Sequence, residues 1–190
     1  MWSRYLASIV IGLVLLATVV LAAAAQATPG IPNADSALCT VAPRTLDDLE
    51  RIMAGATPVP SRDRPISGDA IDPDSETGRQ VTSVIEALVA CLDAGDRLRA
   101  YALYTDAYLA SILQPGDLPA IATPDPQNPN DPTRIITVEL HALAGGAVIA
   151  TVTLDPALIP VHKIFEFILI PIDGHWRIDR VINEIDFSLP

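Results

Sequence analysis

The most regular signal in this chain lies in residues 81–92, where Val81, Val84, Ile85, Leu88, Val89 and Leu92 recur at spacings of three and four. That period puts them on one face of an amphipathic helix. Gly95 is the predicted stop. Asp96 then caps a second helix, in which Leu98, Tyr101, Ala102, Thr105, Tyr108, Leu109 and Ile112 share a face until Pro115-Gly116 ends it. Two helices joined by so short a break are expected to pack as a pair. Beyond them the pattern changes. Residues 134–144 and 147–155 are rich in branched side chains and flank Gly145-Gly146, while residues 162–171 and 175–185 flank Asp173-Gly174. Both dipeptides tolerate positive φ, so two hairpins and a four-stranded antiparallel meander are predicted. Helices grouped before strands indicate an α+β domain, with the helical pair on one face of the sheet.

Ahead of this domain, residues 45–54 form a short helical pattern with Thr45 as N-cap, Asp47 and Asp48 in the first turn, and Gly55 as the stop. Residues 56–74 hold Pro58, Pro60, Pro65 and Pro73 among polar residues, which is linker composition. Residues 28–76 therefore read as an extended accessory arm, and residues 77–187 as the main domain. Residues 114–133 carry six prolines, a density that argues against any internal strand or helix and reads as a long loop.

The amino end has a character of its own. Of the 20 residues 6–25, 17 are apolar and none is charged; Arg4 precedes the run and Ala25-Gln26-Ala27 supplies a small-x-small cleavage site. This reads as an export signal over residues 1–27. The run is longer than the usual apolar core of a signal peptide and just long enough to span a bilayer, so a cleaved signal and an uncleaved single-span anchor both fit. In either form the positive-inside rule leaves the remainder outside the cytoplasm, secreted or tethered to the outer face of the cell membrane. Thiols there are usually oxidised, which predicts a Cys39–Cys91 disulfide; the alternative is two isolated cysteines.

Composition narrows the partners. The chain holds 23 acidic against 12 basic side chains, a net charge of −11. That is the wrong sign for a nucleic-acid binder, which needs a basic stripe to displace counterions from phosphates. Contact with a membrane is expected only through the N-terminal segment. Two cysteines cannot form a four-thiolate zinc site.

Three segments together resemble the SnoaL-like branch of the nuclear transport factor 2-like superfamily. They are Ala90-Cys91-Leu92-Asp93-Ala94-Gly95-Asp96, Ala102-Leu103-Tyr104-Thr105-Asp106, and Asp173-Gly174-His175-Trp176-Arg177-Ile178-Asp179. The resemblance covers residues 77–185. It implies a curved four-stranded sheet wrapped around the helices as a cone whose open end holds an apolar ligand pocket. Some relatives are isomerases, cyclases or dehydratases and many are non-catalytic binding or dimerisation modules, so the fold leaves the function open.

The enzymatic relatives use a carboxylate base inside the cone with tyrosine donors, a chemistry that needs a buried acid and preorganised hydroxyls. Tyr101, Tyr104 and Tyr108 recur at three and four residues and suit a ligand-lining stripe, although core packing explains them too. Glu166, between Phe165 and Phe167, shares a strand face with Ile164 and Ile168. With the phenylalanines facing the helices, Glu166 is expected to be an exposed charge on the outer surface; with the faces reversed it becomes a pocket carboxylate. Asp106 is the other candidate acid. Catalytic candidates are thus Glu166, Asp106, Tyr104 and Tyr108, and ligand-binding candidates Tyr101, Tyr108 and Trp176. Glu139 and His141 share a strand face near His162 but lack a third ligand, so no metal is assigned. No cofactor motif is present: glycine-rich phosphate loops, dinucleotide fingerprints and the Gly-x-Ser-x-Gly elbow are all absent from the sequence. The leading expectation is a non-catalytic module that binds a small apolar ligand or a partner protein. An isomerase or dehydratase is the alternative, and a homodimerisation unit the third, since Ile135, Leu143 and Ile149 would otherwise be exposed.

Overall fold

The computed structural model describes residues 39–55, 57, 68–123, 133–155 and 161–188. Over these residues it is α+β, with five helices, α1 (Leu46–Gly55), α2 (Glu76–Asp93), α3 (Arg97–Tyr101), α4 (Asp106–Ile112) and α5 (Leu118–Ile121). Four strands follow, β1 (Arg134–Ala142), β2 (Val148–Asp155), β3 (Val161–Ile172) and β4 (His175–Ser188). They form one antiparallel sheet in the order β1-β2-β3-β4, the predicted meander. Irregularities of register bend it, one in β1 between Ile135 and Thr137 and two in the β3–β4 ladder. No helix among the described residues is long and apolar enough to cross a membrane. The apolar run 6–25 and the cleavage motif lie outside the described residues.

Local chemistry explains where the helices begin. Thr45 and Asp48 form a reciprocal cap on α1, each backbone N–H donating to the other's side chain. Ser75 caps α2 by accepting from the Gly78 N–H at 3.0 Å, and Asp96 caps α3 by accepting from the Arg99 N–H at 3.0 Å. Gly78 is required for a different reason. A Cβ there would sit 2.6 Å from the Pro73 carbonyl oxygen and closer still to that of Asp72, both backbone atoms that cannot move aside. Gly→Ala inside a helix ordinarily gains about 1 kcal/mol. At Gly78 the sign reverses: Gly78→Ala is expected to destabilise by about 2 kcal/mol through overpacking, read from urea unfolding curves.

The second predicted helix is in fact two. Residues 102–105 leave the helical path because Thr105 is taken by other partners: its hydroxyl caps α4 by accepting from the Tyr108 N–H, and its N–H donates to the Ile178 carbonyl at 2.9 Å. The Ile178 N–H donates in turn to the Leu103 carbonyl at 2.8 Å, so this segment forms a parallel bridge along the outer edge of β4. The opposite edge is covered as well. Residues 68–71, expected to be linker, bond to β1 through Gly68 N–H to Ala142 O and Ile71 N–H to Leu140 O. Both sheet edges are thereby partly paired, which limits strand addition by other chains.

The described part of the proline-rich stretch, residues 114–123, holds more regular structure than its composition suggests. Pro115 and Pro119 occupy first-turn positions of a 3₁₀ turn (Pro115–Asp117) and of α5, where a missing N–H costs nothing, and Ile121 is buried in the core.

The core lies between the helices and one sheet face. Leu49 and Ile52 of α1 join Val81, Ile85 and Leu88 of α2, Leu109 of α4, and Val148, Ala150, Val152, Phe167, Leu169 and Ile178 of the strands. The arm helix α1 thus belongs to the main core. Leu92, predicted on the buried face of α2, is instead 41% exposed, at the last turn where the helix runs past its cover. Cys39 and Cys91 form the predicted disulfide, with Cα atoms 4.8 Å apart. It ties the chain ahead of α1 to the last turn of α2. Arg44 secures the same segment, donating to the carbonyls of Tyr101 and Tyr104 at 3.0 Å each and pairing with Asp106 at 2.7 Å. The disulfide is consistent with an extracytoplasmic location.

The far face of the sheet departs from expectation. Phe165 and Phe167 face the helices, as the outer-charge reading of Glu166 requires. Glu166 is nevertheless only 3% exposed, and Ile149 and Ile168 on its face are 1% and 6% exposed. Alternation assigns a residue to a face and does not say whether that face meets water. Ile135 is likewise partly buried against the core, so neither it nor Ile149 requires a second copy of the chain for cover.

Candidate functional site

The tyrosines come together despite the break between α3 and α4. The Tyr101 and Tyr104 rings meet edge-on at 6.2 Å, and those of Tyr104 and Tyr108 lie 5.4 Å apart. Tyr104 is buried in the core, while Tyr101 and Tyr108 are partly buried against it. Burial raises the hydroxyl pKa of all three above the ordinary value, that of Tyr104 most strongly; for Tyr108 a hydrogen bond from the Val181 backbone opposes the shift. A phenol whose folded pKa is raised contributes stability that is complete below its unfolded pKa of about 10 and is lost as the pH climbs above it. The protein is accordingly expected to lose stability above about pH 10, and Tyr104→Phe to remove part of that loss, as followed by urea titrations from pH 8 to 11.

Neither candidate acid joins this cluster, although the Asp117 carboxylate lies near enough to Tyr101 to add to the rise of its pKa. Glu166 lies on the opposite face of the sheet, paired across the ladder with Thr151. Asp106 opens α4 as an exposed carboxylate in its ion pair with Arg44. The four catalytic candidates are therefore not assembled into one site. Nor does a metal cluster form among the described residues, where no three His, Cys, Asp or Glu side chains converge. On the far face, His141, Ile149, Ile168 and Arg180 occupy successive pairs across all four strands. The ends of this row are polar, and His141 Nδ1 and Arg180 Nε are buried without a hydrogen bond.

The structure instead presents a groove of about 770 Å³ between α2 and the β3–β4 hairpin. Val84, Ala87, Leu103 and Trp176 supply its apolar lining, and Thr40 and Val41, next to the disulfide, close one side. The hairpin places Trp176 by turn chemistry: Asp173 and Gly174 hold φ of 50° and 78°, the conformation that a two-residue turn needs and that glycine adopts without strain. Trp176 Nε1 then donates to Gln80 Oε1 at 3.0 Å, fixing the indole against α2. Arg79, Glu86 and Arg177 bring charge to the lining.

No family model, curated protein or solved structure matches this chain. The groove and its residues are thus read on their own chemistry. Of the predicted ligand-binding residues only Trp176 lines it; Tyr101 and Tyr108 do not. Gln80, Arg79 and Arg177 were missed. Gln80 and Trp176 are 96 positions apart, and nothing local marks them as neighbours. The exposed face of α2 was legible as the polar side of the helical period, but its role as a wall follows only from the hairpin opposite.

Proposed function

We propose that this chain is an extracytoplasmic SnoaL-like α+β module, without catalysis, that binds a small apolar molecule in the groove beside Trp176. The observation that carries the reading is the groove itself, whose volume of about 770 Å³ lies within the range of small-molecule sites and whose lining sets Val41, Val84, Ala87, Leu103 and Trp176 among polar and charged side chains. The export-signal pattern and the Cys39–Cys91 bridge support the location. The order of the motifs in residues 77–185, together with the helices on a four-stranded meander, supports the SnoaL-like assignment and its cone. Separation of Glu166 and Asp106 from the buried tyrosine hydroxyls favours binding over isomerase or dehydratase chemistry, which needs acid and donor at one substrate.

The test uses the full chain carrying Trp2→Phe, so that Trp176 alone reports. Titration with the neutral probe N-phenyl-1-naphthylamine is expected to quench Trp176 saturably, and Val84→Asp to abolish the response while leaving the fold intact by circular dichroism. Linear, non-saturating quenching that Val84→Asp does not change would overturn the groove as a ligand site.

A further inference from the structure

Arg177 stands apart in a chain with an excess of 11 negative charges. It lines the groove next to Trp176, and its guanidinium donates to the Ala102 carbonyl where α3 ends. No carboxylate among the described residues lies within ion-pairing distance of it, although 23 acids are available in the sequence. The other arginine of the lining, Arg79, is already neutralised by Glu76 at 2.7 Å. The groove therefore holds one half-buried cation with donors to spare, anchored by a backbone carbonyl and set beside an indole and aliphatic side chains.

We infer that the groove takes an organic monocarboxylate, with the carboxylate on Arg177 and an apolar body over Trp176, Val84, Ala87 and Leu103. This rests on the groove being the ligand site. A guanidinium matches a carboxylate in planar, two-pronged hydrogen bonding, and an ion pair partly screened from water gains more than one at the surface. One cation left without a carboxylate among the described residues balances a single negative charge. Glu86, an exposed acid in the same lining that makes no ion pair among the described residues, disfavours a dianion such as a phosphate monoester.

Three eight-carbon probes separate the possibilities: octanoate, octanamide and octylammonium, titrated at pH 7.5 into the full Trp2→Phe chain with Trp176 emission as readout. Octanoate is expected to bind about tenfold tighter than octanamide, a preference that Arg177→Gln reduces to about one while the affinity for octanamide is unchanged. Arg177→Lys, which keeps the charge, is expected to retain part of the preference and covers the case in which Arg177→Gln does not fold. Arg79→Gln should leave the ratio within about twofold of the parent, since that side chain is already paired. Equal binding of octanoate and octanamide overturns the carboxylate assignment and leaves the groove as an apolar site. Tightest binding of octylammonium also overturns it, in favour of Glu86. No saturable response to any of the three defeats the groove reading itself.

Discussion

Replacing Cys39 and Cys91 together by alanine is expected to lower the stability of the folded chain by about 4 kcal/mol in urea unfolding at pH 7. The bridge joins positions 52 residues apart, and breaking it frees the unfolded chain to explore a loop of that length. Chain entropy makes the long loop, rather than any contact of the sulfurs, the main source of the effect. Cys91 is fully buried in the core cluster, so alanine leaves a small void there and does not add an unpaired hydroxyl. Treating the parent protein with dithiothreitol should reproduce the loss, and the double variant should be indifferent to the reagent. A loss below about 1 kcal/mol would mean that Arg44 and Arg99, which donate to the carbonyls of Tyr101, Tyr104 and Cys39, hold the segment without the bridge. The same variant should weaken ligand binding, because Thr40 and Val41 form one side of the groove immediately after Cys39.

Ile178→Ala is expected to cost about 3 kcal/mol, and Ile178→Val about 1 kcal/mol. Ile178 is completely buried and stands opposite Leu169 in the β3–β4 ladder. Its backbone is held from the other side as well, bonded to Leu103 and Thr105. The surroundings therefore cannot collapse into the space that a shortened side chain leaves, and a rigid cavity is the costly kind. The two substitutions separate cavity size from β-propensity, since valine keeps the branched Cβ that a strand favours. Equilibrium unfolding of both variants gives the comparison directly, and equal losses for valine and alanine would show that the site is sensitive to shape and not to volume.

The parts of the fold that were readable in advance share a short range. Thr45 and Asp96 cap helices through N–H groups three residues away, Val81 to Val89 mark the buried face of α2 by period, and Asp173-Gly174 sets a turn within two residues. The disulfide was readable for a different reason, because compartment decides thiol oxidation and the export-signal pattern of the amino end led to the expectation of an oxidising one. The candidate site was much less legible. Trp176 was picked out, but as a lone aromatic on the last strand. Its partner Gln80, the guanidinium of Arg177 and the wall from Thr40 and Val41 come from segments with no pattern in common.

Hydrophobic period, capping side chains and turn dipeptides by themselves determined an α+β chain with a long amphipathic helix and two hairpins in a meander. Those signals act between residues at most four apart, where the backbone leaves few alternatives. The tertiary structure alone decided that the helix after Asp96 breaks at residues 102–105, because Ile178 from a distant strand captures the backbone groups of Leu103 and Thr105. It also decided that residues 68–71 pair with β1, that Glu166 is buried on a face where alternation suggested solvent, and that α2 and the hairpin enclose a groove. Each of these depends on which remote surface comes to lie against a residue, and local periodicity carries no information about that.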